Sequence, residues 1–288
     1  DERYSFGAFV DFEINEHAVV YAEGMYTKDT SRAQIAESGT FFNEDYALPI
    51  TNELFPESFR NSLLEYWPDA DYFSFYIGKR NVEGGPRSDN TQYSAFRIVT
   101  GIKGMLTDNW DYDVSYMVGE TESSSTYVND FFAPRIRTAV NSDLCAADSD
   151  CIPYQVFTYQ GVTPEAAAGL TGVAIRQKLG STKVFNAYIT GNTGFGLPAG
   201  EITMAAGYEW RKVGYDTQSD TIYEDGLLLG QGGPRPSIMG DYSVDEVFIE
   251  GNVPLLADLP FVDNLTLDLA YRYSDYDTGY NTDTYRFG

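Results

Sequence analysis

Three sets of side chains in this sequence could do chemistry. The first is a group of carboxylates and guanidiniums set singly inside alternating segments: Arg97, Asp111, Asp113, Glu246, Glu250, Asp268 and Arg272. A charge placed this way belongs to the polar face of a strand, where it meets water or a polar partner. The second set lies in the long segments between those strands and includes Trp67, Tyr72, Tyr127, Arg135, Arg137, Tyr154 and Tyr159, with Phe73, Phe131 and Phe132 nearby. Aromatic rings can stack on sugars and Arg can grip a carboxylate, although the same rings can also pack the segments against one another. The third set is Cys145, Cys151 and the lone His17. One His and two Cys outside a Cys-x-x-Cys pair do not make a zinc site. There is no Gly-x-Ser-x-Gly elbow, no His-Glu-x-x-His and no Walker loop, so the expectation is no enzyme, no cofactor and no resident metal. The oxygen-rich group Asp275, Asp277, Asn281 and Asp283 lacks the twelve-residue EF-hand loop and reads as a solvated acidic loop. The glycines of 191–196 read as a turn rather than a phosphate cradle, because no helix follows them.

The elements that must position these residues are strands. Leu265, Leu267, Leu269, Tyr271 and Tyr273 alternate with Thr266, Asp268, Ala270, Arg272 and Ser274. Trp110, Tyr112, Val114, Tyr116 and Val118 alternate with Asp111, Asp113, Ser115 and Met117, and 3–14 repeats the pattern. The reading gives strands near 3–14, 17–27, 91–103, 110–121, 182–194, 200–215, 241–253 and 264–276, with a ninth beginning near 282. The register of 17–27 stays unassigned. Short connections alternate with long ones at 28–90, 122–181 and 216–240, which places every long segment on one side of an up-and-down meander. Outer-membrane barrels have this asymmetry. Strands of about 10–14 residues are what a tilted membrane-spanning strand needs. Tyr26, Trp110, Trp210, Tyr215, Tyr271 and Tyr273 fall near strand ends, as an aromatic girdle would. Within the long segments, Thr163-Pro164-Glu165 signals a helix start, and a second helix is expected from Pro56 to Tyr66.

Composition narrows the function classes. The chain has 288 residues, 43 Asp plus Glu against 19 Lys plus Arg, and a formal net charge of -24. This acidity argues against nucleic acid as a partner. No apolar run is long enough for a transmembrane helix, which leaves spanning strands open.

Several stretches resemble one large branch of the TonB-dependent outer-membrane receptors. The stretch from Cys145 through Cys151, Pro153 and Phe157 to Gly161-Val162-Thr163-Pro164-Glu165 is similar to a loop signature of that branch. Leu197-Pro198-Ala199-Gly200 followed by Ala206-Gly207-Tyr208-Glu209-Trp210-Arg211 resembles its "LPAG…AxGxExR" hairpin. Gly240 to Glu250 with Val253-Pro254-Leu255 resembles a third segment, and Ala270-Tyr271-Arg272-Tyr273-Ser274-Asp275-Tyr276 a fourth. Gln155 and Thr158 depart from the pattern, where Asn and Gly are usual. The resemblance covers the C-terminal half; the N-terminal half matches by its rhythm and by Gly101-Ile102-Lys103-Gly104.

The resemblance implies an antiparallel transmembrane β-barrel of about 22 strands around an N-terminal plug. All of 1–288 would be one section of the barrel wall, with the plug and the terminal strands outside it. It implies an outer-membrane receptor of a Gram-negative bacterium. Such a receptor binds an iron-siderophore complex, oligosaccharide or peptide and imports it with energy from the inner-membrane TonB system. The implied partners are its own plug, TonB, outer-membrane lipid and the nutrient. Cys145 and Cys151 would form a disulfide on the oxidising outer side, with two free thiols as the alternative. The seven strand charges would face the lumen, and Glu246 and Glu250 become candidates for plug contact or simple solvated residues. The competing readings are a passive porin-like channel and a secreted β-rich adhesin or binding module.

Overall fold

A computed structural model describes residues 1–288. Nine strands form one antiparallel sheet in the order β1 (Glu2–Asn15), β2 (Ala18–Glu37), β5 (Pro86–Thr107), β6 (Trp110–Phe131), β7 (Thr171–Leu197), β8 (Gly200–Ser219), β9 (Ile238–Leu259), β10 (Val262–Tyr276) and β11 (Asn281–Phe287). Within this sheet each strand lies beside its predecessor in the chain. The sheet is open, with β1 and β11 as its edges. A separate hairpin pairs β3 (Asp45–Pro49) with β4 (Tyr72–Tyr76).

The strands exceed the expected lengths, reaching 22 residues in β5 and β6 and 27 in β7. Whereas β9 grows mainly toward its short turn, in β2, β6, β7 and β8 the excess lies mainly toward the long connections. There the alternation stops, because both faces turn polar, as in Glu120-Thr121-Glu122-Ser123-Ser124-Ser125-Thr126. Pairing in that region is carried by the backbone ladder and by Ser and Thr side chains. The long connections shrink accordingly to 38–85, 132–170 and 220–237.

These connections hold the apolar core. A cluster of 14 buried residues includes Tyr46, Leu48, Phe55, Phe131, Ile136, Tyr154 and Leu229, and a second of four joins Tyr127, Ala174, Tyr223 and Leu228. Both gather at the long-connection end of the sheet. The helix expected after Pro56 is α1 (Glu57–Tyr66), and Phe55, just before it, meets Phe59 of the helix, Phe75 and Phe157 edge-on. The chain then forms α2 (Ala133–Ala139) and α3 (Ser142–Ala146), neither of which the sequence signalled. Next comes the expected α4 (Pro164–Gly169), whose Thr163 hydroxyl accepts from the Ala166 N–H at 3.2 Å. The last is α5 (Thr221–Glu224), capped by Asp220. Cys145 and Cys151 form a disulfide.

Tyr154 sits at the centre of the larger cluster, edge-on to Phe131 with ring centroids 5.7 Å apart. Its hydroxyl is buried without a hydrogen-bond partner, and burial drives its pKa up. Tyr154→Phe should therefore leave thermal stability equal or improved, since it removes an unpaired polar group. Tyr154→Ala should cost about 3–5 kcal/mol by opening a cavity. Denaturant melting of the two variants checks the pair; a large loss in Tyr154→Phe would mean that the hydroxyl has a partner.

Candidate functional site

The sheet has two chemically distinct faces, and the register says which residues share one. Glu23 and Met25 pair with Val99 and Arg97, and Gly119, Asp113 and Asp111 continue that row across β6. Asp111, Asp113 and Met117 pair with Thr190, Tyr188 and Val184, and Val184 with Arg211. Arg211, Glu209 and Ala205 pair with Val244, Glu246 and Glu250, which pair in turn with Tyr276, Ser274 and Ala270. Directly paired antiparallel residues point to the same side. All seven strand charges, Arg97, Asp111, Asp113, Glu246, Glu250, Asp268 and Arg272, therefore stand on one face. The opposite face carries Phe6, Val10, Phe12, Tyr26, Phe96, Ile98, Val114, Tyr116, Ile189, Val247, Ile249 and Leu269. Tyr26, Trp110, Trp210, Tyr271 and Tyr273 of the expected girdle are on this apolar face. Tyr215 is not: it pairs with Gly180 and Gly240 on the polar side.

Side chains on the polar face reach across intervening strands. Tyr21 on β2 donates to Asp113 on β6 at 2.8 Å. It passes over Gly101 of β5, where a Cβ would lie 2.4 Å from the Tyr21 ring. Lys103 lies over that ring at 5.2 Å and within 3.5 Å of Asp11. Arg97 donates to Glu23 at 3.2 Å. Asp111 and Asp113 border a cavity of about 350 Å³ with Lys103 and Tyr188.

On β8–β10, Glu246 is buried and central. It lies 3.7 Å from Arg211 and 3.3 Å from Arg272, and accepts from the Ser274 hydroxyl at 2.6 Å. Arg272 also covers the Phe248 ring at 5.2 Å. Asp268 accepts from the Asn252 amide at 2.7 Å, and both border a smaller cavity with Glu250 and Arg286. This face can present paired donors and acceptors to a polar ligand or to another protein segment.

The loop residues divide by burial. Tyr127 and Tyr154 are core residues with no surface to offer; the Tyr127 hydroxyl accepts from Arg87 at 3.0 Å. Arg135 spends its guanidinium on the carbonyls of Gly169 and Thr171, and Arg137 on Glu44 at 2.6 Å. Trp67, Tyr72 and Tyr159 stay exposed, at 57%, 66% and 92%. Structure does not bring those three together into one pocket. Tyr72 and Tyr76 share the outer face of the β3–β4 hairpin, while Trp67 packs at 5.8 Å on Phe73 of the inner face. The acidic group near 275–283 is likewise divided among separate tasks. Asp277 accepts from Ser243 at 2.8 Å and Asp283 from Tyr271 at 2.6 Å.

One arrangement has no counterpart in the sequence reading. Asp130 is fully buried where the three long connections meet. A bulge between Val128 and Asp130, with Asn129 at φ 63°, turns this carboxylate inward. It accepts from the Ser38 hydroxyl, from the Phe131 N–H at 2.9 Å and from the Gly230 N–H at 3.1 Å. Arg87 lies 3.9 Å away and donates to the carbonyls of Ala36 and Gly230. The only sequence signal was a lone acid directly before Phe131-Phe132.

No protein-family model matches the chain, and no curated protein matches it by sequence. Among solved structures, one chain in a structure described as the RagAB peptide transporter is similar at a TM-score of 0.50 and 13% identity. The match covers 99% of this chain and 29% of that one, so this chain spans less than a third of its length. The likeness is one of fold.

Burial raises the Asp130 pKa against the lowering effects of Ser38 and Arg87. A raised carboxyl favours the fold while it is protonated. Its contribution is full below the ordinary Asp range and is lost as pH rises through the raised value. The stability advantage of the wild type over Asp130→Asn should therefore shrink as pH rises from about 3 to 7. Asp130→Ala should cost more than Asp130→Asn and follow the same pH trend, because it also strips the Ser38 hydroxyl and the Phe131 and Gly230 N–H groups of their acceptor. Urea melting across pH measures both; an advantage that grows with pH would reverse the assignment.

Proposed function

We propose that the chain is a wall section and outer crown of an outer-membrane nutrient importer. Its apolar face would meet lipid and its polar face the lumen and the importer's plug. Its long connections would face the outside of a Gram-negative cell, and energy would come through the TonB system. The observation that carries this reading is the sheet itself. Seven charged residues share one face, most of the exposed large apolar side chains stand on the other, and every long connection leaves from the same end. A water-soluble adhesin would need a second layer over the face that bears Phe6 and Phe12, which are 69% and 68% exposed.

The sequence resemblance supports TonB coupling and a plug. Glu250, exposed on that face, suits contact with a polar plug surface, whereas Glu246 is buried against Arg211, Arg272 and Ser274. The likeness to part of a peptide transporter favours peptide among the cargoes. Oligosaccharide and iron-siderophore stay compatible with exposed Trp67, Tyr72 and Tyr159. The reading assigns no catalysis to the chain.

Two substitutions one residue apart test the orientation. Val114→Arg puts a charge on the apolar face and should cost about 2–4 kcal/mol in lipid vesicles, whereas Ser115→Arg on the polar face should cost under about 1 kcal/mol. Equal costs would remove the membrane from the proposal. Cells carrying the full-length protein should take up its nutrient only when TonB is present. Uptake that persists without TonB would leave a passive channel as the better reading.

A further inference from the structure

The β3–β4 hairpin stands apart from the wall, and each of its strands has a strand neighbour on one side only. Antiparallel partners alternate between pairs that exchange backbone hydrogen bonds and pairs whose N–H and C=O groups point away from each other. The Ile50 N–H donates to the Asp71 carbonyl at 2.8 Å, which fixes the phase. Leu48 with Phe73 and Tyr46 with Phe75 are therefore the bonded pairs. Tyr72, Ser74 and Tyr76 direct their N–H and C=O groups outward, along the free edge of β4. No group of the chain bonds to them, and no other strand or helix runs along that edge.

An unpaired edge is a template for another strand, and proteins that do not use one blunt it. The β3 edge is blunted: Pro49 has no N–H to offer, and Arg137 is held beside the strand by Glu44. The β4 edge, Tyr-Phe-Ser-Phe-Tyr, has neither a proline nor a charge. Tyr72 and Tyr76 stand exposed on its outer face with the small Ser74 between them. Phe73 and Phe75 lie on its inner face, with Trp67 against Phe73. The surroundings are acidic. Connection 38–85 holds eight Asp and Glu against three Lys and Arg. Asp45, Asp69 and Asp71 are exposed and belong to no ion pair. The cations nearby are engaged: Lys79 by Glu83, Arg60 by the Asn52 carbonyl, and Arg80 by the Glu37 carbonyl over the Phe41 ring.

We propose that the free edge of β4 binds an extended cationic peptide as an added strand. The peptide backbone exchanges hydrogen bonds with Tyr72, Ser74 and Tyr76, which supplies affinity whatever the sequence. Its side chains then alternate between the two faces. Lys or Arg on the outer face meets the tyrosine rings and the unpaired carboxylates. Apolar side chains on the inner face meet Phe73, Phe75 and Trp67. A second copy of this hairpin is disfavoured as the occupant, because it would bring the same carboxylates. The inference deepens the importer reading given above and rests on it for treating the peptide as cargo.

The test titrates the full-length protein in neutral detergent with an alternating Lys-Val octapeptide, followed by calorimetry. Methylating alternate backbone nitrogens of the peptide keeps its charge and removes its strand donors, and should weaken binding about tenfold or more. Ser74→Pro removes the central outward N–H of β4 without touching a bond of the hairpin, and should weaken binding by a similar factor of about ten. Ala47→Pro makes the same change directly opposite, on the β3 edge, and should leave binding unchanged. An alternating Glu-Val octapeptide should bind about tenfold more weakly than the Lys-Val one. Wild-type affinity in Ser74→Pro, or equal affinity for the methylated peptide, overturns the proposal. So does an equal loss in Ala47→Pro, which would trace the effect to the hairpin as a whole, and so does equal binding of the Glu-Val peptide. Carbonate extraction of the same membranes separates the two levels of argument. Protein that stays with membranes but binds the methylated peptide equally well sinks this inference alone; protein released as soluble sinks the membrane reading, and with it the assignment of the peptide as cargo.

Discussion

Everything in this molecule depends on a hydrogen-bond register that never slips in the middle of the sheet. Successive side chains on a strand point to opposite sides, so a shift of one residue would transfer a whole set of charges to the apolar face. Register shifts do occur, but only near strand ends. Those at Glu13/Asn15, Met105/Thr107, Asn192/Gly196 and Leu265/Thr266 lie by the short turns. Those at Ile35/Glu37 and Val128/Asp130 lie by the long connections. Between them the ladder runs unbroken across β8 and β9 in particular. The two-faced sheet follows from that continuity, and so does each contact on the polar face, including the reach of Tyr21 over Gly101 to Asp113.

The shifts at the ends have a different use: they release the chain from strict alternation where it must turn or pack. The bulge at Asn129 is the clearest case. Its side-chain amide donates to the carbonyls of Gly84 and Pro86 at 2.8 and 3.0 Å, tying β6 to the start of β5. The following carboxylate is thereby aimed into the space between the connections. Asp130 then gathers donors from 38 and 230 beside Arg87, so segments far apart in sequence share one polar anchor. Around it, Phe131, Ile136, Tyr154 and Leu229 close an apolar core that the sheet alone does not have.

The alternation made the two-faced part of most strands legible, because one apolar face opposite one polar face repeats for five or more residues at Trp110 to Val118 and at Leu265 to Tyr273. It could not mark where the strands stop. Beyond the rim both faces are polar, and Ser123 to Thr126 look like loop while pairing as strand. Tyr215 was misplaced for a related reason: near a strand end an aromatic residue alone does not reveal its side. Local cap chemistry was readable at Thr163-Pro164 and at Pro56. The helix at Ala133 begins on Phe132, which provides no side-chain cap, and is held by packing instead. Of the loop residues, chemical type identified Trp67, Tyr72, Tyr127, Arg135, Arg137, Tyr154 and Tyr159 alike. Only tertiary context separates the buried and committed ones from the three that stay exposed. The Asp130 anchor was illegible because its partners lie 92 and 100 residues away.

The same distances set an order of events during folding. Each short-turn hairpin closes locally, since strands such as β5 and β6 are joined by two residues, Asp108 and Asn109. The crown is the reverse: the Asn43 amide donates to the Leu229 carbonyl at 2.7 Å across 186 residues of chain. Contacts of such separation carry a large loop-closure entropy until intervening strands have already brought their ends together. The wall must therefore zip first, strand by neighbouring strand, and the crown must close last. Until β9 has joined β8, Gly230 has no fixed place beside Asp130, and the rings of Phe131 and Tyr154 stand open to solvent. The interval between those two steps is when this chain has most need of protection from aggregation.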